Sequence, residues 1–300
     1  MWLPHMATRG LDASRALAWA CAVAARETTC DYDALRGTVK RLLAEGADAA
    51  HTSALDGGTS AWAVAVECEP ISAALLAAGA DPSVHLPGLA DSTPLHLAID
   101  RGQLSIAMLL LRHGSDASAV DRSFRGALHA LVDRVRRLPP PCDGPGITEV
   151  EELVRALIAS GANVDARDGD GTTPLLSTVV AGMAAAAVAA TVALQRVAAA
   201  LLCAGADTCA ARFDSVSVAS LLRGHTGLDR GTPLRDGSIV RLTPRARAFL
   251  ARVSIDATWA RRAPLLRRRK LVASPLVARA AAATVQLVSQ VVDEQCLRSH

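Results

Sequence analysis

His96 and His129 are the side chains that first suggest proton transfer, and the acidic trio Asp165, Asp168 and Asp170 suggests a cation loop. Neither chemistry is supported by what surrounds them. The chain has no Gly-x-x-x-x-Gly-Lys-Ser/Thr phosphate loop, no Gly-x-Ser-x-Gly elbow and no His-Glu-x-x-His pair. A calcium loop would need a glutamate at its twelfth position, where Leu176 stands, and the trio runs through Gly171 and Thr172 toward a helix start. It reads as a solvated turn. The seven cysteines, Cys21, Cys30, Cys68, Cys142, Cys203, Cys209 and Cys296, follow no ligand or disulfide spacing. Cys68 and Cys203 lie in or beside helical segments and read as small buried hydrophobes. No catalytic residue, metal site or cofactor is therefore expected.

The elements that hold these residues are legible from residue 92 to residue 118. Thr93 offers an N-cap hydroxyl, and Pro94 follows at the first helical position, where a missing N–H costs nothing. Leu95, Ala98 and Ile99 form an apolar stripe at helical spacing before Gly102 breaks the chain. Ile106, Leu109, Leu110 and Leu111 form a second stripe that ends at Gly114, a natural left-handed terminator. The unit is two short antiparallel helices. At this length neither can bury its apolar face alone, so the unit requires neighbours.

Those neighbours announce themselves through one phrase. LLAEGAD at 42–48, LLAAGAD at 75–81, LLRHGSD at 110–116, LIASGAN at 157–163 and LLCAGAD at 201–207 place Gly46, Gly79, Gly114, Gly161 and Gly205 at intervals of 33, 35, 47 and 44 residues. Helix starts agree: Thr173 and Pro174 repeat the cap and proline, whereas Ser60 and Ala127 are read in the proline's place and Trp62 and Leu176 in the histidine's. The pattern resembles the ankyrin repeat, with its period of about 33 residues. The resemblance is strongest at 92–118 and 157–176 and spans roughly 12–225.

The expected fold is accordingly all-α: an ankyrin-repeat solenoid of stacked helix-turn-helix units with hairpin fingers, plus a basic helical C-terminal tail. Residues 1–11 precede a degenerate first repeat at 12–52. Further repeats follow at 53–85, 86–120, 121–167 and 168–211, then a partial cap at 212–225, a linker at 226–242 and the basic region at 243–300. The surplus in the fourth repeat holds Pro139, Pro140, Pro141, Gly144, Pro145 and Gly146 and reads as a loop over 138–147. The surplus in the fifth is the alanine-rich run within 183–204, 11 residues beyond the intact repeat. That is close to three turns, so one helix can lengthen without rotating its buried face.

Composition suits a scaffold: 51% hydrophobic but only 3% aromatic, so the core is Ala, Leu and Val. Thr178 to Leu194 carries no charge over 17 residues, yet it is mostly alanine and meets Gln195 and Arg196, which argues against a membrane span. The N-terminal sequence lacks a basic start followed by an apolar core, so no signal peptide is read there. With an odd number of thiols, this points to an intracellular protein of the cytosol or nucleus.

Charge is polarised: residues 1–240 sum to −6 and residues 241–300 to +9. Arg261, Arg262, Arg267, Arg268, Arg269 and Lys270 form a basic patch open to three readings: a solvent-facing side of a docked helical cap, a nuclear-import signal, or an anion-binding element. Leu250, Val253, Trp259, Leu265 and Leu266 favour the cap, and the scarcity of aromatic partners argues against nucleic acid.

The family resemblance implies a non-enzymatic protein-interaction scaffold, expected to be monomeric, that binds a partner protein through a concave surface of finger tips and inner helices. Carried onto this chain, that surface is Val66, Glu67, Leu89, Asp91, Asp100, Arg101, Arg122, Arg125, Asp133, Arg134, Asp168 and Asp170. The resemblance assigns Thr93, Pro94, His96, Gly114, His129, Gly161, Thr173, Pro174 and Gly205 to the structural repeat motif, with the histidines tying adjacent repeats together. An adaptor of a ubiquitin ligase is the alternative, although no recruitment box is recognised in the tail.

Overall fold

The computed structural model describes residues 13–26, 32–51, 60–137, 145–185, 188–210, 217–218, 232–233, 239–240, 246 and 248–257. They fall into two units, Met1–Val218 and Ala219–His300. The first is built from five helical hairpins: α1 (Ala13–Arg26) with α2 (Tyr32–Ala44), α3 (Ala61–Ala65) with α4 (Glu69–Ala77), α5 (Pro94–Arg101) with α6 (Leu104–Arg112), α7 (Ala127–Arg136) with α8 (Pro145–Ala159), and α9 (Pro174–Ala184) with α10 (Val188–Cys203). The odd-numbered helices pack in one row and the even-numbered in another, each touching the next of its row. This stacking buries what a single hairpin would expose: Leu95, Ile99, Ile106 and Leu110 are 0–1% accessible, as are Leu153, Leu157, Val179 and Leu201.

The recurrent Gly-Ala-Asp phrase has a residue-by-residue cause. Gly46, Gly79, Gly114, Gly161 and Gly205 have φ between 83° and 95°. A Cβ there would meet nothing within 4 Å, so glycine is required by the backbone and not by space. The amide after each glycine bonds five residues back, as in Ala47 N–H to Leu42 O and Ser115 N–H to Leu110 O, closing the helix end in a Schellman pattern. The acid or amide that follows turns the chain toward the finger: Asp48, Asp81, Asp116, Asn163 and Asp207 each accept, on Oδ1, the amide two residues ahead at 2.8–3.0 Å.

Three expectations need correction. Residues 145–147 are helical, not loop: α8 begins at Pro145, whose missing N–H is harmless in a first turn. The alanine-rich run is not one lengthened helix. Relative to α5 and α6, three residues extend α9, seven extend α10, and the segment between them is one residue longer, together accounting for the 11. α9 ends at an extended Ala185 (ψ 122°) although no glycine or proline stands there, because the two helices must pack against each other as a hairpin. Third, Cys203 is exposed and Cys68 half-buried, whereas among the described cysteines Cys21 is the one in the core, its thiol pushed up to about 12 by burial.

The second unit pairs Thr232–Pro233 antiparallel with Ile239–Val240. Residues 246 and 248–257 are helical, with Phe249, Leu250 and Val253 buried. The basic patch from Arg261 to Lys270 lies outside the described residues, as do the expected loop at 138–144 and most of the expected cap and linker. No helix among the described residues is long and apolar enough to cross a membrane.

Candidate functional site

In the odd-numbered row, here called the inner row as the ankyrin resemblance implies, Ser60, Thr93, Gly126 and Thr173 are the N-caps of α3, α5, α7 and α9, each in extended conformation. This fixes the register of the second repeat one residue away from the sequence reading. Ser60 stands with Thr93, Ala61 with Pro94, Trp62 with Leu95, and Ala63 with His96. The same shift moves Val66 onto the level of Ile99, and both are fully buried. Val66 is therefore core and is not available to a partner. From N-cap to terminating glycine the second repeat is two residues shorter than the third, because α3 is three residues shorter than α5 and the turn after it one residue longer, so a ruler laid from the helix end does not place the helix start.

The cap residues divide by what stands three positions later. Ser60 Oγ accepts the Ala63 amide at 3.1 Å, and Thr173 Oγ1 accepts the Leu176 amide at 3.3 Å. Thr93 makes no such cap. Its hydroxyl lies 2.9 Å from His96 Nδ1. His96 Nε2 faces the carbonyl of Arg125 in the next repeat at 3.1 Å, and His129 Nε2 faces the carbonyl of Thr172 at 2.9 Å. A carbonyl only accepts, so each ring carries a proton on Nε2, and His129 Nδ1, which accepts the Gly126 amide at 3.3 Å, carries none. Burial holds both imidazoles below their ordinary range, His96 at about 4. These are bridges between repeats with both ring nitrogens engaged.

Fingers are laced in the same way. Arg122 N–H donates to Ala90 O, and Gly169 N–H to Ser123 O at 2.8 Å. Asp121 and Asp168 sit at equal places: Asp121 Oδ1 accepts from Ser123 and Arg125 amides, Asp168 Oδ1 from Asp170 and Thr172 amides. Asp168 thus shapes its finger, while Asp170 is exposed. Asp91 pairs with Arg122 across fingers at 3.2 Å, and Leu89 is half-buried in a short 3-10 turn. Among the described residues no group of three His, Cys, Asp or Glu side chains is arranged to hold a metal.

The last turns of the inner helices carry the remaining surface residues. Counting seven positions from each N-cap gives Glu67, Asp100, Asp133 and Val180; the eighth gives Cys68, Arg101, Arg134 and Ala181. Arg101 Nη1 reaches back one repeat to Ala63 O (2.5 Å) and Glu67 Oε1 (2.7 Å), a cation against the carboxyl end of α3. Arg134 reaches back likewise, over Gly102, where a Cβ would stand 2.4 Å from its Nη2. Arg125 Nη2 lies 2.8 Å from Asp133 Oδ2, close enough for an ion pair although not angled as a hydrogen bond, and Arg136 approaches the same carboxylate at 3.7 Å. Asp100 differs from its neighbours: it is half-buried and makes no contact ion pair or hydrogen bond, and burial raises its carboxyl above the usual range.

The sequence reading passed over Phe124. It is 62% exposed at a finger tip and has φ 59°, in the place held by Asp91 (54°) and Gly171 (73°) in the adjacent fingers. Aligning Asp121 with Asp168 sets Phe124 against Gly171, and a glycine at that place marks a left-handed site.

Comparison with known proteins agrees with this architecture. The family model of the ankyrin repeat matches residues 91–122. A solved ankyrin repeat domain from Acinetobacter baumannii superposes with a TM-score of 0.53 at 21% identity, covering 79% of this chain and 97% of that one. Over 103 residues the chain is 36% identical to neurogenic locus notch homolog protein 4 of Homo sapiens, and over 91 residues 35% identical to ZDHHC13 of Danio rerio, named as a palmitoyltransferase. Those stretches are 34% and 30% of this chain but only 4% and 12% of the relatives' lengths. Residues 91–122 match an ankyrin repeat, and the first unit has the ankyrin-repeat fold, which generally serves protein–protein interaction.

Proposed function

We propose that this chain binds a partner protein through the surface formed by the last turns of α5, α7 and α9 and the finger tips between them. The observation that carries this reading is the contrast between the two kinds of polar residue on the array. His96, His129, Thr173 and Asp168 are consumed by bonds that hold repeats and fingers together. Asp100, Asp170, Val180 and Phe124 lie on one continuous set of elements and serve no such purpose. Large exposed side chains and an uncompensated carboxylate are what a fold would omit if stability alone shaped that surface. The chemistry is recognition, with no nucleophile, base or metal in its machinery.

The test is capture from cells with the full chain and with an inner-row variant, Asp133→Arg combined with Arg134→Glu. Partners held by this surface should drop by about tenfold or more in yield while the helical content of the variant is unchanged. Retention of the same partners at the same yield would overturn the assignment.

A further inference from the structure

The row seven positions from each N-cap changes character along the array. Glu67 is satisfied by Arg101 and Asp133 by Arg125 and Arg136. Between them Asp100 has no contact partner. The charged groups that act on it at range are Arg125, Arg137, Asp133 and Asp121, and with Asp100 they sum to −1. The row then ends on Val180, 50% exposed, where an acid stands in the three preceding repeats. One open position therefore calls for a cation and another, two repeats on, for an apolar group.

The spacing between them sets how far apart an extended segment must carry its two side chains. α5 packs on α7 and α7 on α9, and neighbouring helix axes lie about 8–10 Å apart, so two steps span roughly 16–20 Å. An extended chain covers about 3.3 Å per residue. We propose that the partner segment is an extended polypeptide carrying a basic side chain for Asp100 and, about five or six residues away, an aliphatic side chain for Val180. This rests on the reading of the inner face as the binding surface and specifies what that face selects. The basic side chain supplies the charge that Asp100 lacks within the chain, which relieves the burial of its carboxylate. The aliphatic side chain removes Val180 from water.

A random linear peptide library displayed against the purified full chain tests the proposal, since it imposes no pattern. Enriched peptides are expected to share a basic and an aliphatic residue separated by five or six positions. Asp100→Asn should weaken them by about tenfold, and should have little further effect on peptides whose basic residue is already replaced by glutamine. Val180→Asp should do the same for the aliphatic residue. Thermal unfolding of both variants, measured alongside, separates loss of binding from loss of fold. Enriched peptides without the pair, or with the pair but indifferent to both substitutions, overturn the proposal. If such peptides still lose binding on Asp133→Arg with Arg134→Glu, the inner face remains the binding surface and only the chemistry of its partner is wrong. If they do not, both readings fall; if no peptide is enriched, the extended-segment proposal falls and the capture experiment decides the surface.

Discussion

His96 Nε2 donates to the carbonyl of Arg125, 29 residues ahead in the next repeat, across 3.1 Å. The bond ties one hairpin to the finger that leads into the next, and Thr93 anchors the other side of the ring through Nδ1 at 2.9 Å. With Nε2 donating to a carbonyl, Nδ1 of the neutral ring accepts the Thr93 hydroxyl, and a second proton there would have to be carried away from water. Burial, the largest influence on the ring, reinforces this and sets His96 at about 4 against 6.5 when unfolded.

The sign of the resulting pH dependence follows directly. Between about 4 and 6.5 the unfolded chain binds a proton at residue 96 that the native chain refuses, so stability falls as pH falls through that window and is level above it. From pH 7 to pH 5 this residue should lower the unfolding free energy by about 2 kcal/mol, and His129, shifted the same way, adds to the loss. Denaturant titrations at the two pH values check it. His96→Gln should flatten the dependence, and an unchanged slope in that variant would assign the effect elsewhere.

Thr93 and Thr173 are alike in sequence and differ in what they hold. Thr173→Ala removes an amide cap and should cost about 1 kcal/mol. Thr93→Ala removes no amide bond. It frees His96 Nδ1, so its effect should depend on the histidine. In a double-mutant cycle with His96→Gln, a coupling of about 0.5–1.5 kcal/mol is expected for Thr93 and none for Thr173.

Much of this architecture is written in local chemistry. The Leu-Leu-x-x-Gly-Ala-Asp phrase specifies a buried pair, a left-handed glycine and an Asx turn within seven residues, so five helix ends are legible at once. Thr93-Pro94 and Thr173-Pro174 specify helix starts just as locally. What escaped is set by distance. That Thr93 gives its hydroxyl to His96 depends on the ring being held by Arg125 from another repeat. That Val66 is buried depends on α3 being three residues shorter than α5, a difference that the glycine spacing does not reveal. The break after Ala184 has no local marker, because alanine permits helix on both sides and only packing between α9 and α10 requires the chain to reverse. On the inner row, the residue types were readable but not which were already paired: Asp133 and Asp100 look the same until Arg125 is placed against one of them.

Gly114 and Gly205 should tolerate no side chain even though space is open around them. At φ 83° and 95° an alanine must adopt the left-handed region, at roughly 1–2 kcal/mol. Thermal or denaturant unfolding of Gly114→Ala measures it. Gly37, with equal space and no positive φ within α2, is the control, and Gly37→Ala should be stabilising by about 0.5–1 kcal/mol.

Phe124 presents the opposite case, a side chain where the backbone calls for none. Its φ of 59° is the value Gly171 adopts at 73° in the neighbouring finger without strain, and its ring is 62% exposed, so truncation sacrifices little packing. Phe124→Gly should relieve roughly 1–2 kcal/mol of backbone strain and give back about 0.5–1 kcal/mol in chain entropy. The net expectation is a stabilisation of about 0.5 kcal/mol, against the 3–5 kcal/mol loss typical of truncating a buried phenylalanine. Phe124→Ala keeps the strain while losing the ring, so it should be no more stable than the parent. If the ring also contributes to the interaction face, both variants should weaken partner capture alike while differing in stability. A destabilised Phe124→Gly would mean that the ring packs against the array and is not a binding element.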